Sequence, residues 1–417
     1  MRLTCHGPKW PIALLSSIVV AALAASAAFS ADAPAGTAVA GVPEALREAR
    51  RHMLDATINT LTFRSMDSLF ETREVTRSGP VWRLPRQDRE LDFNYVVRGE
   101  RHRADEFEER NRTNAMIILK HGRIVHEAYF NLTNERTRFI SFSMAKSITA
   151  TLLGIALAER KIRSLDDTVA TYVPELANSA YGKVAIRQVM RMRSGIAFDE
   201  RYDFGVHSQA QEVFENALVR NEQRFAYLAP TLKRRDGDPG SFNYSTMDTA
   251  VLGLVLEGAV GEPVSTYMTS KLWEPLGAEA NGFWLADGPP GVGRSLSGMG
   301  YNAILRDYAR LGEMMLRNGR AGARQIVSPD WVKLVTTSTA IEDGHGMVPA
   351  EFGYGYQWWT LHGMGTYFAL GLQGQFIFVD PASETVIAKL SYWPPGDDRA
   401  FLDEAIEFFK AASAWSP

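Results

Sequence analysis

Ser143 and Lys146, three residues apart, carry the strongest chemical signal in the chain. They open a run from Ser143 to Glu159 whose apolar residues (Ile148, Leu152, Leu153, Ile155, Leu157) fall almost all round a helix, as in a helix buried in a core. A spacing of three puts both side chains on one helix face, one turn apart, so hydroxyl and ammonium can meet. A serine at a helix start also has its own backbone N–H available to a developing oxyanion. A lysine drawn into a dry pocket loses basicity and can take or relay a proton near neutral pH. Together these point to acyl transfer from a serine nucleophile. The bare Ser-x-x-Lys pattern is common, but of the ten lysines only Lys146 has a serine three residues before it. The competing reading is a serine helix cap beside a solvated lysine.

Other chemistries have less behind them. The eight histidines form no His-Glu-x-x-His or similar zinc pattern, and His121 and His126 read as surface residues of a hairpin. The one cysteine, Cys5, lies near the N-terminus, so neither a thiol nucleophile nor cysteine-ligated zinc is expected, and no cofactor or metal is implied. No Gly-x-Ser-x-Gly elbow occurs. Asp199 and Glu200 are adjacent carboxylates in a polar stretch and read as a solvated turn. A net charge of −3 gives no basic face for nucleic acid.

The elements that must position Ser143 and Lys146 can be read in order. Arg2 and Lys9 precede an apolar run from Pro11 to Ala28, with small-x-small patterns at Ala25–Ala27 and Ala28–Ser30. Residues 1–30 therefore read as a signal peptide cleaved between Ala27 and Ala31, with a secreted or periplasmic product and no stable membrane span after processing. The alternative is a retained anchor. Residues 31–110 read as an irregular, Arg-rich extension packed on the main domain, with one helix at 44–55. Ala115–Lys120 and Ile124–Phe130 make a hairpin about His121-Gly122. Helices and polar loops fill 166–261, including an apolar helix at 251–259. A helix at 308–316 ends at Gly319. Tyr367–Leu370, Gln375–Val379 and Val386–Ser391 form a meander, and a helix at 401–412 closes the chain. Strands at both ends with helices between predict an α+β fold. Its antiparallel sheet domain is 111–165 with 290–417, flanked by helices, and 166–289 is an inserted, mostly helical domain.

Ser141-Phe-Ser143-Met-Ala-Lys146-Ser-Ile-Thr-Ala-Thr-Leu-Leu-Gly-Ile-Ala resembles the active-site helix of serine hydrolases of the class C β-lactamase and DD-peptidase-like family. Within it the chain is most similar to the 6-aminohexanoate-dimer hydrolases. The resemblance runs from about Asn114 to the C-terminus and includes Tyr172-Val-Pro-Glu-Leu, Arg187-Gln-Val-Met-Arg-Met-Arg-Ser-Gly and Trp273-Glu-Pro-Leu-Gly. It implies the β-lactamase/DD-peptidase-like fold and two further motifs. Tyr244-Ser245-Thr246 matches the second, making Tyr244 a catalytic partner of Ser143 and Lys146, with Thr246 where β-lactamases carry asparagine. Tyr129-Phe-Asn131 matches Tyr-x-Asn more literally, but it precedes Ser143 within a strand. Ala369-Leu-Gly371-Leu-Gln-Gly374 matches the third motif, Lys-Thr-Gly, with Ala369 in place of the lysine. Gly371 and Gly374 would then border the substrate, and the backbone N–H of Leu372 would join that of Ser143 as an oxyanion donor. The resemblance implies a secreted serine hydrolase acting on a small-molecule amide or ester through a Ser143 acyl-enzyme. A β-lactamase, a D-amino-acid peptidase and a non-catalytic envelope binding protein are the alternatives, and the oligomeric state stays open.

Overall fold

The computed structural model describes residues 41–201, 207–237, 240–289, 291–342, 349–396 and 398–417. The expected signal peptide lies outside the described residues.

The apolar runs at the two ends of the chain pair with each other. Eight strands form one antiparallel sheet: β1 (Thr113–Lys120), β2 (Arg123–Tyr129), β3 (Thr339–Ala340), β4 (Phe352–Tyr354), β5 (Trp359–Leu361), β6 (Tyr367–Gly371), β7 (Gln375–Asp380) and β8 (Thr385–Ser391). Their order is β3-β4-β5-β6-β7-β8-β1-β2, so β1 from the first third of the chain sits beside the last strand. Ile118 faces Ile387 across that seam, and Lys389 faces Met116. The central strands read as continuous apolar runs because both faces of the sheet are covered.

Successive residues serve opposite cores. Ile117, Leu119, Ile377, Val379 and Val386 point into the larger core, with the helices α1 (Met144–Ala158), α2 (Thr246–Val260) and α3 (Leu305–Leu316). Met116, Ile118, Phe376, Phe378 and Ile387 point the other way, onto Phe408 and Phe409 of the closing helix α4 (Asp398–Ala414). The expected α+β architecture is what the chain adopts. The segment 166–289 supplies α2 and several short helices to the larger core.

Two regions differ from expectation. Residues 56–110 are irregular only in part, over 76–93, and are more than a cover: Phe63, Met66, Phe70 and Val75 lie in the larger core. Thr72–Val75 belongs to a second antiparallel sheet, ordered Thr72–Val75, Gly282–Leu285, Tyr301–Ile304, Arg138–Ile140. Strands of three or four residues are too short to show a period of two, so the sequence gives no sign of them. This small sheet matters to the site, because its last strand runs directly into Ser143. His126 is also not a surface residue. It is half-buried, its Nε2 2.5 Å from Glu108 Oε1.

Candidate active site

Entry into α1 is tightly specified. The N–H of Ser141 donates to the carbonyl of Tyr301 at 2.7 Å, extending the small sheet by one bond. Phe142 then takes a φ of +41°, uncommon for a bulky side chain. Its buried ring meets the edge of Phe63 at 4.9 Å, which holds that conformation in place. Ser143 follows with helical dihedrals, and α1 begins at the next residue.

Lys146, one turn on, is 1% exposed. Its three N–H donors have three acceptors: Ser143 Oγ at 3.0 Å, Thr246 Oγ1 at 2.9 Å and the Gly298 carbonyl at 2.9 Å. Gly298 must be glycine here, because a Cβ would lie 2.8 Å from Thr246 Cγ2. Burial pulls the Lys146 ammonium down to about 8, with the negative charge of Glu200 pulling the other way. The lysine is thus poised to exist as a neutral amine at mildly alkaline pH.

Tyr244 reaches the pair from the start of α2. Ser245 caps that helix, its Oγ accepting from the Asp248 N–H at 3.2 Å. The cap fixes the direction of the residue before it. Tyr244 lies with its ring centroid 5.0 Å from Lys146 Nζ. Behind, the ring stacks on Trp359 of β5 at 5.4 Å and meets Tyr354 of β4 edge-on at 6.2 Å. Burial pushes the Tyr244 phenol well above its ordinary value, with Ser143 pulling against that shift. The phenol is neutral at physiological pH and therefore has a proton to give. The rival Tyr129 donates instead to Glu127 at 2.7 Å, and Asn131 leaves the strand with a φ of +55° to bond Asn114.

The third motif arrives at the end of β6. Gly371 packs so closely on the chain entering α1 that a Cβ would lie 2.2 Å from the Ser141 carbonyl oxygen. This brings the β6–β7 turn, with Leu372 as its first residue, beside the helix start. Gln375 Nε2 holds the Leu372 carbonyl at 3.2 Å. Gly374 has a φ of +92° and lies against the ring of Trp393, where a Cβ would be 2.4 Å from Cε2. Its need for glycine is met by packing. Ala369, at the position of the motif's lysine, is fully buried opposite Ile377.

One residue of the cluster was not visible in sequence. Asp199 behaves as a turn carboxylate, bonded to the Arg201 guanidinium at 2.6 and 2.8 Å. Glu200 does not: its two oxygens accept the backbone N–H and the hydroxyl of Thr246. No local pattern marks it, because its partner is 46 residues away in sequence. Gln357 ties the two helices together, its carbonyl accepting from Ser147 Oγ at 2.6 Å and its Oε1 from Thr249 Oγ1 at 2.7 Å. Among the described residues no group of three or more His, Cys, Asp and Glu gathers as a metal site.

A serine bonded to a buried lysine, beneath a neutral phenol and beside a glycine-lined strand end, is equipped for acyl transfer. The β-lactamase family model matches residues 101–410. The chain belongs to the β-lactamase family. This β-lactamase-family serine hydrolase is 31% identical over 295 residues to the 6-aminohexanoate-dimer hydrolase of Paenarthrobacter ureafaciens, covering 69% of this chain and 74% of the relative. Among solved structures it matches the "Putative 6-aminohexanoate-dimer hydrolase from Bacillus anthracis" with a TM-score of 0.75 at 22% identity, over 87% of this chain and 95% of that one. It also matches EstCE1, described as a hydrolase with promiscuous acyltransferase activity, with a TM-score of 0.58 at 18% identity, over 73% of this chain and 97% of that one. The structural likenesses bear on the fold of this family member, and among its described residues no helix is long and apolar enough to cross a membrane.

Proposed function

We propose that this hydrolase is exported and cleaves small amides or esters through an acyl-enzyme on Ser143. The observation that carries the reading is the 3.0 Å contact between Ser143 Oγ and a lysine that burial has brought down to about 8. Neutral Lys146 takes the hydroxyl proton as Oγ bonds to the substrate carbonyl carbon. The backbone N–H groups of Ser143 and Leu372 receive the oxyanion. As the tetrahedral intermediate collapses, Tyr244 gives its proton to the leaving amine or alkoxide and recovers one from Lys146. Water then enters by the same steps in reverse and releases the acid.

The choice of small amide or ester is supported by similarity to an enzyme named for the dimer of 6-aminohexanoate, and by the loss of the two polar groups that β-lactamases carry at the positions of Ala369 and Thr246. Intact mass after reaction with a slow ester or amide should show one acyl group, located by digestion on the peptide carrying Ser143. Ser143→Ala should lose both adduct and turnover while melting as the wild type does. Turnover retained in that variant would refute the reading. Export is tested separately by N-terminal sequencing of the mature protein, which should begin at one of residues 28–31. A chain that starts at Met1 would contradict it.

A further inference from the structure

A carboxylate can only accept hydrogen bonds, whereas a hydroxyl has a single proton to give. Thr246 is the first residue of α2, so its backbone N–H has no partner within the helix. Glu200 Oε2 accepts that N–H, and Oε1 accepts the Thr246 hydroxyl. A negative charge at this helix start is also favoured by the helix dipole. With its proton committed to Glu200, Thr246 Oγ1 can face Lys146 Nζ, 2.9 Å away, only as an acceptor. The Gly298 carbonyl, also at 2.9 Å, can only accept. A neutral amine has two N–H groups and one lone pair. Both N–H groups are therefore committed, and the remaining neighbour is Ser143 Oγ at 3.0 Å.

We propose that Glu200 is a positioning residue: by taking both the N–H and the hydroxyl proton of Thr246, it aims the lone pair of neutral Lys146 at the Ser143 hydroxyl. The inference rests on the reading of Ser143 and Lys146 given above. In the proton transfer, the Ser143 O–H bond breaks, a Lys146 N–H bond forms and Oγ bonds to the acyl carbon. The resulting ammonium then has three donors for three acceptors. Glu200 faces that new charge across the Thr246 hydroxyl. The threonine at the place of the family's asparagine is thus a connector between a buried base and a carboxylate from a distant loop.

Among the described residues, the other titratable groups around this chain of contacts are Tyr244 over Nζ, Tyr354 beside Tyr244, and Asp248, whose Oδ1 accepts from Tyr181 Oη at 2.6 Å. Burial pushes the Asp248 carboxyl up to about 7, with Glu200 adding to the shift and Arg235 opposing it. Glu200 is the group that holds the Lys146 ammonium up against burial.

Glu200→Gln tests the arrangement because a glutamine cannot replace two acceptors. Whichever way its amide lies, an NH₂ faces a donor. The backbone N–H cannot turn, so the Thr246 hydroxyl must, and it then competes with Ser143 for the lysine lone pair. The plateau kcat should fall at least about tenfold, within the range for disturbed proton transfer, with KM changed by less than about threefold. The acidic limb of kcat/KM should move to lower pH, since the charge that sustained the ammonium is gone. Thr246→Val keeps the N–H contact with Glu200 and removes only the hydroxyl, so its kcat should fall likewise. Thr246→Ser should restore it to within about threefold of wild type. A helix-capping role alone would lower the melting temperature of Glu200→Gln and leave its plateau kcat in place.

The proposal is overturned if Glu200→Gln keeps a wild-type plateau, if its acidic limb does not move, or if Thr246→Val is as active as Thr246→Ser. The threonine pair decides the matter alone should Glu200→Gln not fold. Ser143→Ala, run beside them, separates the two levels: activity surviving there refutes Ser143 as nucleophile, whereas its loss together with a wild-type Glu200→Gln refutes only the role of Glu200.

Discussion

The α-carbon of Gly371 rests on the carbonyl oxygen of Ser141, close enough that a single added methyl would sit 2.2 Å from it. Both contacting groups are backbone, so neither can swing aside as a long side chain would. The end of β6 and the approach to α1 are thereby locked at a fixed separation. Gly371→Ala should cost about 1–3 kcal/mol of stability, as overpacking does, and should lower kcat by moving the β6–β7 turn away from Ser143. Chemical denaturation and steady-state kinetics on the purified variant measure the two effects. A variant with unchanged stability and turnover would mean that the two strands can part without consequence.

The lowered basicity of Lys146 sets a pH profile. In the proposed mechanism the amine must be neutral to accept the Ser143 proton, and burial brings it down to about 8. Activity should therefore rise as pH climbs through that value, with kcat/KM falling roughly tenfold per unit on the acid side. A profile that falls as pH rises through 8 would make Lys146 an acid in the rate-limiting step. Lys146→Met, which keeps an apolar stem in the buried site, should lose about 10²–10⁴ in kcat.

Tyr244→Phe removes the phenol oxygen and leaves the ring stacked on Trp359. Packing is retained, so the variant should melt with the wild type. The proposed proton donor is lost, and kcat should drop by about 10²–10⁴ while KM changes little. Esters with good leaving groups need less protonation and should suffer less than amides. A variant with normal turnover on amides would make Tyr244 a packing residue.

The buried Ala369 and the connector Thr246 bear on β-lactams. Penicillins and cephalosporins carry a carboxylate that a lysine at the first of these positions would help to hold. A missing charge-assisted contact costs about 1.5–3 kcal/mol, or roughly ten- to a hundredfold in transition-state binding. The specificity constant for nitrocefin should accordingly lie below that for p-nitrophenyl acetate or butyrate. A higher constant for nitrocefin would overturn the inference from Ala369.

The legible parts of this molecule were those written in local patterns. The helix after Ser143, the hairpin about His121-Gly122 and the C-terminal meander all show as apolar runs bounded by turns, and Ser143 and Lys146 share a face by spacing alone. Tyr244 and Gly371 came through similarity, and the geometry gives each a physical place. The small sheet was hidden because its strands are too short to show a period. Glu200 was hidden for a different reason. A carboxylate beside Asp199 in a polar loop has the composition of a solvated turn, and only the fold carries it to a helix start 46 residues on. His126 is hidden in the same way, since its partner Glu108 precedes the hairpin.

The pairing of β1 with β8 has a consequence for how the enzyme comes into being. Ser143 and Lys146 belong to the first half of the chain, yet the strand that Ile118 needs beside it carries Ile387. Contacts between residues so far apart in sequence form slowly, because a long loop must close before any bond rewards it. Gly371, which presses on the carbonyl before Ser143, comes equally late. A growing chain thus holds its serine and lysine without the strand end that, in the proposed mechanism, completes the oxyanion site. On that mechanism, hydrolytic power arrives only when the final strands dock, and the polypeptide is chemically silent until then.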